Sequence, residues 1–255
     1  MTRQGPTFII GGAPRSGTTW LYELLDRHPD IYMAKPVRPE PKFFLVDELY
    51  ERGIQYYFDT WFKDADGHAA AGEKSTNYLE NPVVAERMHT HLPDVRLIFI
   101  LREPAHRAYS NWLWSRMNGM ETEDFETALA KEEERERTLP AKLRYARPHA
   151  YFSRGLYAAM LRPYYDRFPR EQILCVKFDD IIRKPGDLAA RLHRFVSVAP
   201  RAQDAAGLDV VNPSEKRGEE MPREIITRLR ERYADAQRDL VALAGAEFAD
   251  WEEEE

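Results

Sequence analysis

Among its 255 residues the chain has one cysteine, Cys175, which excludes an internal disulfide and a cysteine-rich zinc site. Cys175 sits in the apolar run Ile173-Leu174-Cys175-Val176 and reads as a buried strand thiol. No apolar run approaches the roughly eighteen residues that cross a bilayer. Met1 to Thr7 lacks a basic segment followed by an apolar one, so a cytoplasmic protein with no membrane partner is expected. The histidines at 28, 68, 89, 91, 106, 149 and 193 form no spaced cluster of ligand type, and no metal is expected. An excess of basic charge is also missing, and no nucleic-acid partner is expected. The formal charge is −6, and residues 246–255 hold six acids and no base, so the rest of the chain is balanced. That end reads as a solvated acidic tail.

What is present fits a globular enzyme: 43% hydrophobic and 31% charged residues, on a chain long enough for one large domain, taken as 1–245. Thr7 to Ile10 is a short apolar run ending at Gly11-Gly12, as a buried parallel strand would. From Thr18, Leu21, Leu24 and Leu25 recur at helical spacing until His28-Pro29-Asp30. A second strand over Val95–Leu101 leads through Arg102-Glu103-Pro104 into a helix with Ala105, Ala108, Tyr109, Trp112 and Leu113 on one side, away from Arg107 and Ser110. Further helices are expected around 156–168, 186–195 and 222–243, with a strand over 172–178. Residues 118–150 carry the mixed-charge run 131–137 and read as an exposed helix between loops, an insertion or candidate lid. Strands alternating with helices predict an α/β fold: a three-layer αβα sandwich around a mostly parallel sheet, like that of P-loop nucleotide-binding proteins. Ligands are then expected beyond the strand ends after Ile10 and Leu101.

Gly12-Ala13-Pro14-Arg15-Ser16-Gly17-Thr18-Thr19 has the spacing of a phosphate loop between strand and helix. The lysine of a Walker A loop is Thr18 here, and Arg15 lies inside the loop instead. From Pro14 to Leu21 the segment resembles the 5′-phosphosulfate loop of sulfotransferases that use 3′-phosphoadenosine-5′-phosphosulfate (PAPS), P-[KR]-[ST]-G-T-T-x-L. The resemblance implies that Arg15 meets the transferring group and its leaving oxygen. It also implies that Ser16, Gly17, Thr18, Thr19 and Trp20 belong to the donor site.

Other segments follow in that family's order. Leu97 to Pro104, with Ser110 eight residues beyond Arg102, resembles the 3′-phosphate site. Glu40-Pro41-Lys42-Phe43-Phe44 resembles the E-P-x-F-F segment of the glycan-type, heparan sulfate sulfotransferase-like branch, where the glutamate is the base. The Phe pair is expected to lower polarity around Glu40 and raise its pKa. Gly72 to Tyr78 resembles E-K-[ST]-P-x-Y with Thr76 in the proline position, and implies a second cation, Lys74. Lys216-Arg217-Gly218 occupies the place of a basic glycine loop over the 3′-phosphate, and Arg154-Gly155-Leu156-Tyr157 resembles the start of a family helix.

The resemblance implies an enzyme of the EC 2.8.2 type, moving a sulfuryl group from PAPS to a hydroxyl or amine of a carbohydrate-like or small-molecule acceptor and releasing PAP. Glu40 would act as base, Arg15 and Lys74 as stabilising cations, and no metal would be needed. The alternatives are a P-loop kinase, which the missing lysine disfavours, and a non-catalytic nucleotide-binding scaffold, which an intact Glu40, Lys74 and Arg15 disfavour. Tyr56, Tyr57, Trp61 and Trp114 are either sugar platforms or core. The sequence leaves the oligomeric state open, a homodimer among the options.

Overall fold

A computed structural model describes residues 5–209 and 221–251. The strands are β1 (Phe8–Gly12), β2 (Ile31–Met33), β3 (Ala70–Lys74), β4 (Arg96–Leu101) and β5 (Ile173–Lys177). The helices are α1 (Thr18–Asp26), α2 (Asp47–Tyr50), α3 (Ile54–Trp61), α4 (Pro82–His91), α5 (Pro104–Met117), α6 (Phe125–Ala130), α7 (Glu132–Arg137), α8 (Tyr157–Tyr165), α9 (Asp179–Arg183), α10 (Pro185–Phe195) and α11 (Arg223–Ala244). The described residues of the chain gather into two compact units, one of 1–101 with 161–211 and one of 102–160 with 212–255.

The first unit holds the whole sheet, in the order β2-β3-β1-β4-β5 with every pairing parallel. Its strands are buried on both faces, which is why β1 and β4 read as continuous apolar runs. On one face Phe8, Ile10, Ile98, Ile100, Leu174 and Val176 pack against Leu21, Leu24 and Leu25 of α1 and Leu188, Ala189 and Leu192 of α10. On the other face Phe99 meets Tyr164 of α8 with ring centroids 5.0 Å apart. The α/β layering expected from the sequence is therefore present.

Two strands escape the sequence pattern. β3 is Ala-Ala-Gly-Glu-Lys, with no β-branched or aromatic residue, and it is a strand because β1 and β2 flank it. Its Gly72 lies directly under the Phe8 ring, where a Cβ would overlap the ring carbons. β2 has three residues and closes that edge of the sheet.

The second unit has its own core: Ala105, Ala108, Trp112 and Leu113 of α5, Phe125 and Ala128 of α6, Tyr151, and Leu229 and Tyr233 of α11. α5 is covered on more than the expected side, since Arg107 and Ser110 are also buried. The mixed-charge run is Lys131 followed by α7, a mostly exposed helix as expected, but one of its acids, Glu132, is buried. Glu132 accepts the backbone N–H groups of Phe152 (2.6 Å) and Ser153 (2.9 Å), so an acid from the charged run caps a neighbouring turn. Among the described residues no helix is long and apolar enough to cross a membrane.

Candidate active site

β1 lies at the centre of the sheet, and the loop at its carboxyl end is where an α/β fold of this kind is expected to hold a ligand. Arg15 and Gly17 have positive φ (67° and 90°), and Gly17 is the N-cap of α1. A Cβ on Gly17 would stand 2.5 Å from Cδ1 of Ile181, so close packing as well as backbone conformation calls for glycine. No side chain caps α1, and its first turn carries no acid, which leaves its leading N–H groups available to an anion. Ser16 is fully buried and its Oγ has no hydrogen-bond partner among the described residues. A donor hydroxyl left spare beside an uncapped helix start fits a phosphate-bearing ligand.

Glu40 and Lys74, separated by 34 residues, form an ion pair of 2.6 Å. Lys74 ends β3, and its side chain is 3% exposed against 12% for Glu40. Thr76 completes the grip on Glu40, its backbone N–H donating to Oε2 at 3.1 Å and its hydroxyl to Oε1 at 2.5 Å. Thr76 thus departs from the proline of the resembling segment to good effect, because proline offers neither donor.

The expected upward shift of Glu40 is not found. Burial does push its carboxyl up, but the Lys74 charge, hydrogen bonds from Lys74 and Thr76, and the Lys42 charge outweigh it and hold the group below the usual carboxylate range. Phe43 and Phe44 turn away into an aromatic cluster with Tyr57, centroids 4.7 and 5.3 Å away. Tyr57 is accordingly core, fully buried.

A second carboxyl, which the sequence did not single out, lies beside this pair. Burial pushes Glu73 up to about 7, against hydrogen bonds from Ser75, Tyr57 and Tyr78, with the Glu40 charge adding to the rise. The folded protein therefore holds a proton here that the unfolded chain releases nearer pH 4.5. This contribution to stability is full below the unfolded value and is lost as pH rises through about 7. Chemical denaturation at pH 5 and pH 8 should show Glu73→Gln losing this pH dependence, a difference on the order of 3 kcal/mol.

In the second unit Arg102 and Ser110 are both buried, 2% and 1% exposed. The Arg102 carbonyl is fixed by the Tyr157 hydroxyl at 2.8 Å, and Glu103 caps α5 through the His106 N–H at 2.7 Å. One turn on, Arg107 gives Nη2 to the Tyr151 carbonyl, while its Nε and Nη1 meet no acceptor among the described residues. Arg154 is held by Asn111 and the Ala146 carbonyl. Lys216, Arg217 and Gly218 lie outside the described residues.

The fold does bring two histidines together with an acid: His28, His193 and Asp204, all buried. Their spacing along the chain carries no sign of this. The Asp30 N–H donates to Nδ1 of His28, so its Nε2 carries the hydrogen that meets the Ala199 carbonyl at 2.9 Å. The Arg201 N–H donates to Nδ1 of His193, leaving a hydrogen on Nε2, 3.9 Å from Asp204. The Nδ1 lone pair of each ring is thus taken by a backbone N–H, and burial holds His193 down at about 4.

Residues 5–207 match the sulfotransferase domain family. A heparan sulfate glucosamine 3-O-sulfotransferase 3A1 of Mus musculus is 28% identical over 197 residues, covering 77% of this chain and 47% of that protein. A bifunctional heparan sulfate N-deacetylase/N-sulfotransferase of Drosophila melanogaster is 26% identical over 212 residues, 76% of this chain and 20% of that protein. The chain thus spans half or less of the length of these relatives. The crystal structure of a sulfotransferase from Alicyclobacillus acidocaldarius is similar over 94% of this chain and 96% of that one, with TM-score 0.74 and 30% identity. A mouse sulfotransferase complexed with PAP shares the fold at TM-score 0.55 and 14% identity, over 93% of this chain and 84% of that one.

Proposed function

The chain belongs to the sulfotransferase domain family, and from that premise we propose that it transfers the sulfuryl group of PAPS to a hydroxyl or amine of a carbohydrate-like or small-molecule acceptor. The observation that carries the reading is the Glu40–Lys74 pair at the end of β3, next to β1 and its phosphate loop. Ser16, Gly17, Thr18, Thr19 and Trp20 line the place of the donor's 5′ end, where the spare Ser16 hydroxyl and the uncapped α1 can meet phosphate oxygens. Arg102 and Ser110 take the 3′-phosphate, together with Lys216, Arg217 and Gly218.

In this reading Glu40, ionised at neutral pH, orients the acceptor and takes its proton as the acceptor attacks sulfur in line with the departing phosphate. Lys74 and Arg15 offset negative charge on the sulfuryl and leaving oxygens. A carboxylate held low by a lysine is a poor base while that bond lasts. As Lys74 turns its charge toward the sulfuryl oxygens, the basicity of Glu40 rises where it is needed.

The test is a panel of sugar, phenol and amine acceptors incubated with sulfur-labelled PAPS. Transfer of label with release of PAP, unaffected by chelation of magnesium and absent with ATP, is expected. Magnesium-dependent phosphoryl transfer from ATP, with none from PAPS, would overturn the proposal in favour of a kinase.

A further inference from the structure

Glu73 takes no part in the chemistry above, yet it is fully buried and hydrogen-bonded at both oxygens. Tyr57 of α3 donates to Oε1 at 3.0 Å and Ser75 donates to Oε2 at 2.7 Å. The Ser75 hydroxyl, and that of Tyr78 nearby, each make a contact with the loop that carries Glu40. Ser75 Oγ accepts the backbone N–H of Lys42 at 2.9 Å, and the Tyr78 hydroxyl accepts that of Phe44 at 3.3 Å.

A serine hydroxyl has a single hydrogen. By accepting it, Glu73 turns the oxygen's lone pairs toward Lys42. Lys42 needs that hold, because its φ of 50° lies in the left-handed region, which crowds the Cβ of any residue other than glycine. Ser75 is in turn fixed to the sheet by its N–H, which donates to the Ile10 carbonyl of β1 at 3.0 Å.

We propose that Glu73 is a positioning residue: through Ser75 it pins the 40–44 loop to β3, and so sets where the Glu40 carboxylate stands against Lys74 and Thr76. The functional half of this rests on Glu40 being the base; the structural half does not.

Hydrogen exchange at the amides of Lys42 and Phe44, with the amide of position 75 as internal control, reads the structural half directly. Glu73→Leu and Ser75→Ala are expected to lower protection at Lys42 by about tenfold, while the control amide, whose bond to Ile10 neither change touches, keeps its own. With an acceptor from the panel above, both are expected to lower kcat by about 10–100-fold, since a displacement of about 1 Å is worth that much, and to leave KM for PAPS within about twofold. Glu73→Gln, which keeps an acceptor and the shape, should restore both readouts.

Unchanged Lys42 protection in a folded Glu73→Leu protein would overturn the proposal. So would a Glu73→Gln protein as inactive as Glu40→Gln with its loop still protected, which would put Glu73 in the chemistry. Should Glu73→Leu not fold, Ser75→Ala, with Glu73 intact, carries the same test. If Glu40→Gln turns over normally while the exchange results come out as expected, the base assignment fails and the positioning role stands.

Discussion

Glu40→Gln is expected to bind PAPS as the parent does and to turn it over about 10²–10⁴ times more slowly, the range associated with loss of a positioned general base. The substitution keeps the shape of a side chain that is only 12% exposed, and its carbonyl oxygen can still accept from Thr76. Donor affinity measured by calorimetry and turnover measured with labelled PAPS therefore separate the two roles. Turnover within about threefold of the parent would remove Glu40 from the mechanism.

Lys74→Met is expected to lower kcat by about 10²–10³, the usual effect of deleting one preorganised donor to developing charge. It has a second signature with a definite sign. Burial already pushes the Glu40 carboxyl up, and the Lys74 charge is the largest influence opposing it. Without that charge the carboxyl binds its proton more tightly, and the acid limb of the rate–pH profile moves to higher pH. Folding stability should fall by about 3 kcal/mol or less, because Thr76 still bonds the carboxylate and protonation relieves the rest. An acid limb that does not move would show that Glu40 is not the titrating group. Glu40→Gln with Lys74→Met should cost less than the two single changes combined, as groups acting on one another do.

How much of this the sequence disclosed depended on whether the signal was local. β1, the loop after it and α1 were legible because an apolar run, a pair of glycines and leucines at helical spacing stand next to one another along the chain. β3 was not, since Ala70 to Lys74 becomes a strand only between β1 and β2. In the site, Glu40 and Lys74 could be picked out by their segments, but the direction of the Glu40 pKa could not. Phe43 and Phe44, which were expected to raise it, face Tyr57, and the charge that weighs most against burial comes from Lys74, 34 residues away. Thr76 and Glu73 were missed for the same reason: each matters through what folding sets beside it. In the Lys131 to Arg137 run charge density pointed to solvent and most of the helix is exposed, while Glu132 alone is a buried cap.

The strand order also has a bearing on how the molecule comes into being. β1 lies at the centre of the sheet, yet its partners begin 62 and 88 residues after Phe8, at Ala70 and Arg96. No hairpin can hold it in the meantime, because each pairing is parallel and must wait for a distant segment. During synthesis β1 remains an unpaired apolar strand until β3 arrives, and the sheet closes only when β5 joins at Ile173. Folding of the first unit is thus a late, long-range event that leaves a sticky strand exposed meanwhile. Slower synthesis at low temperature, or a chaperone that shields Phe8 to Gly12, should raise the yield of folded protein.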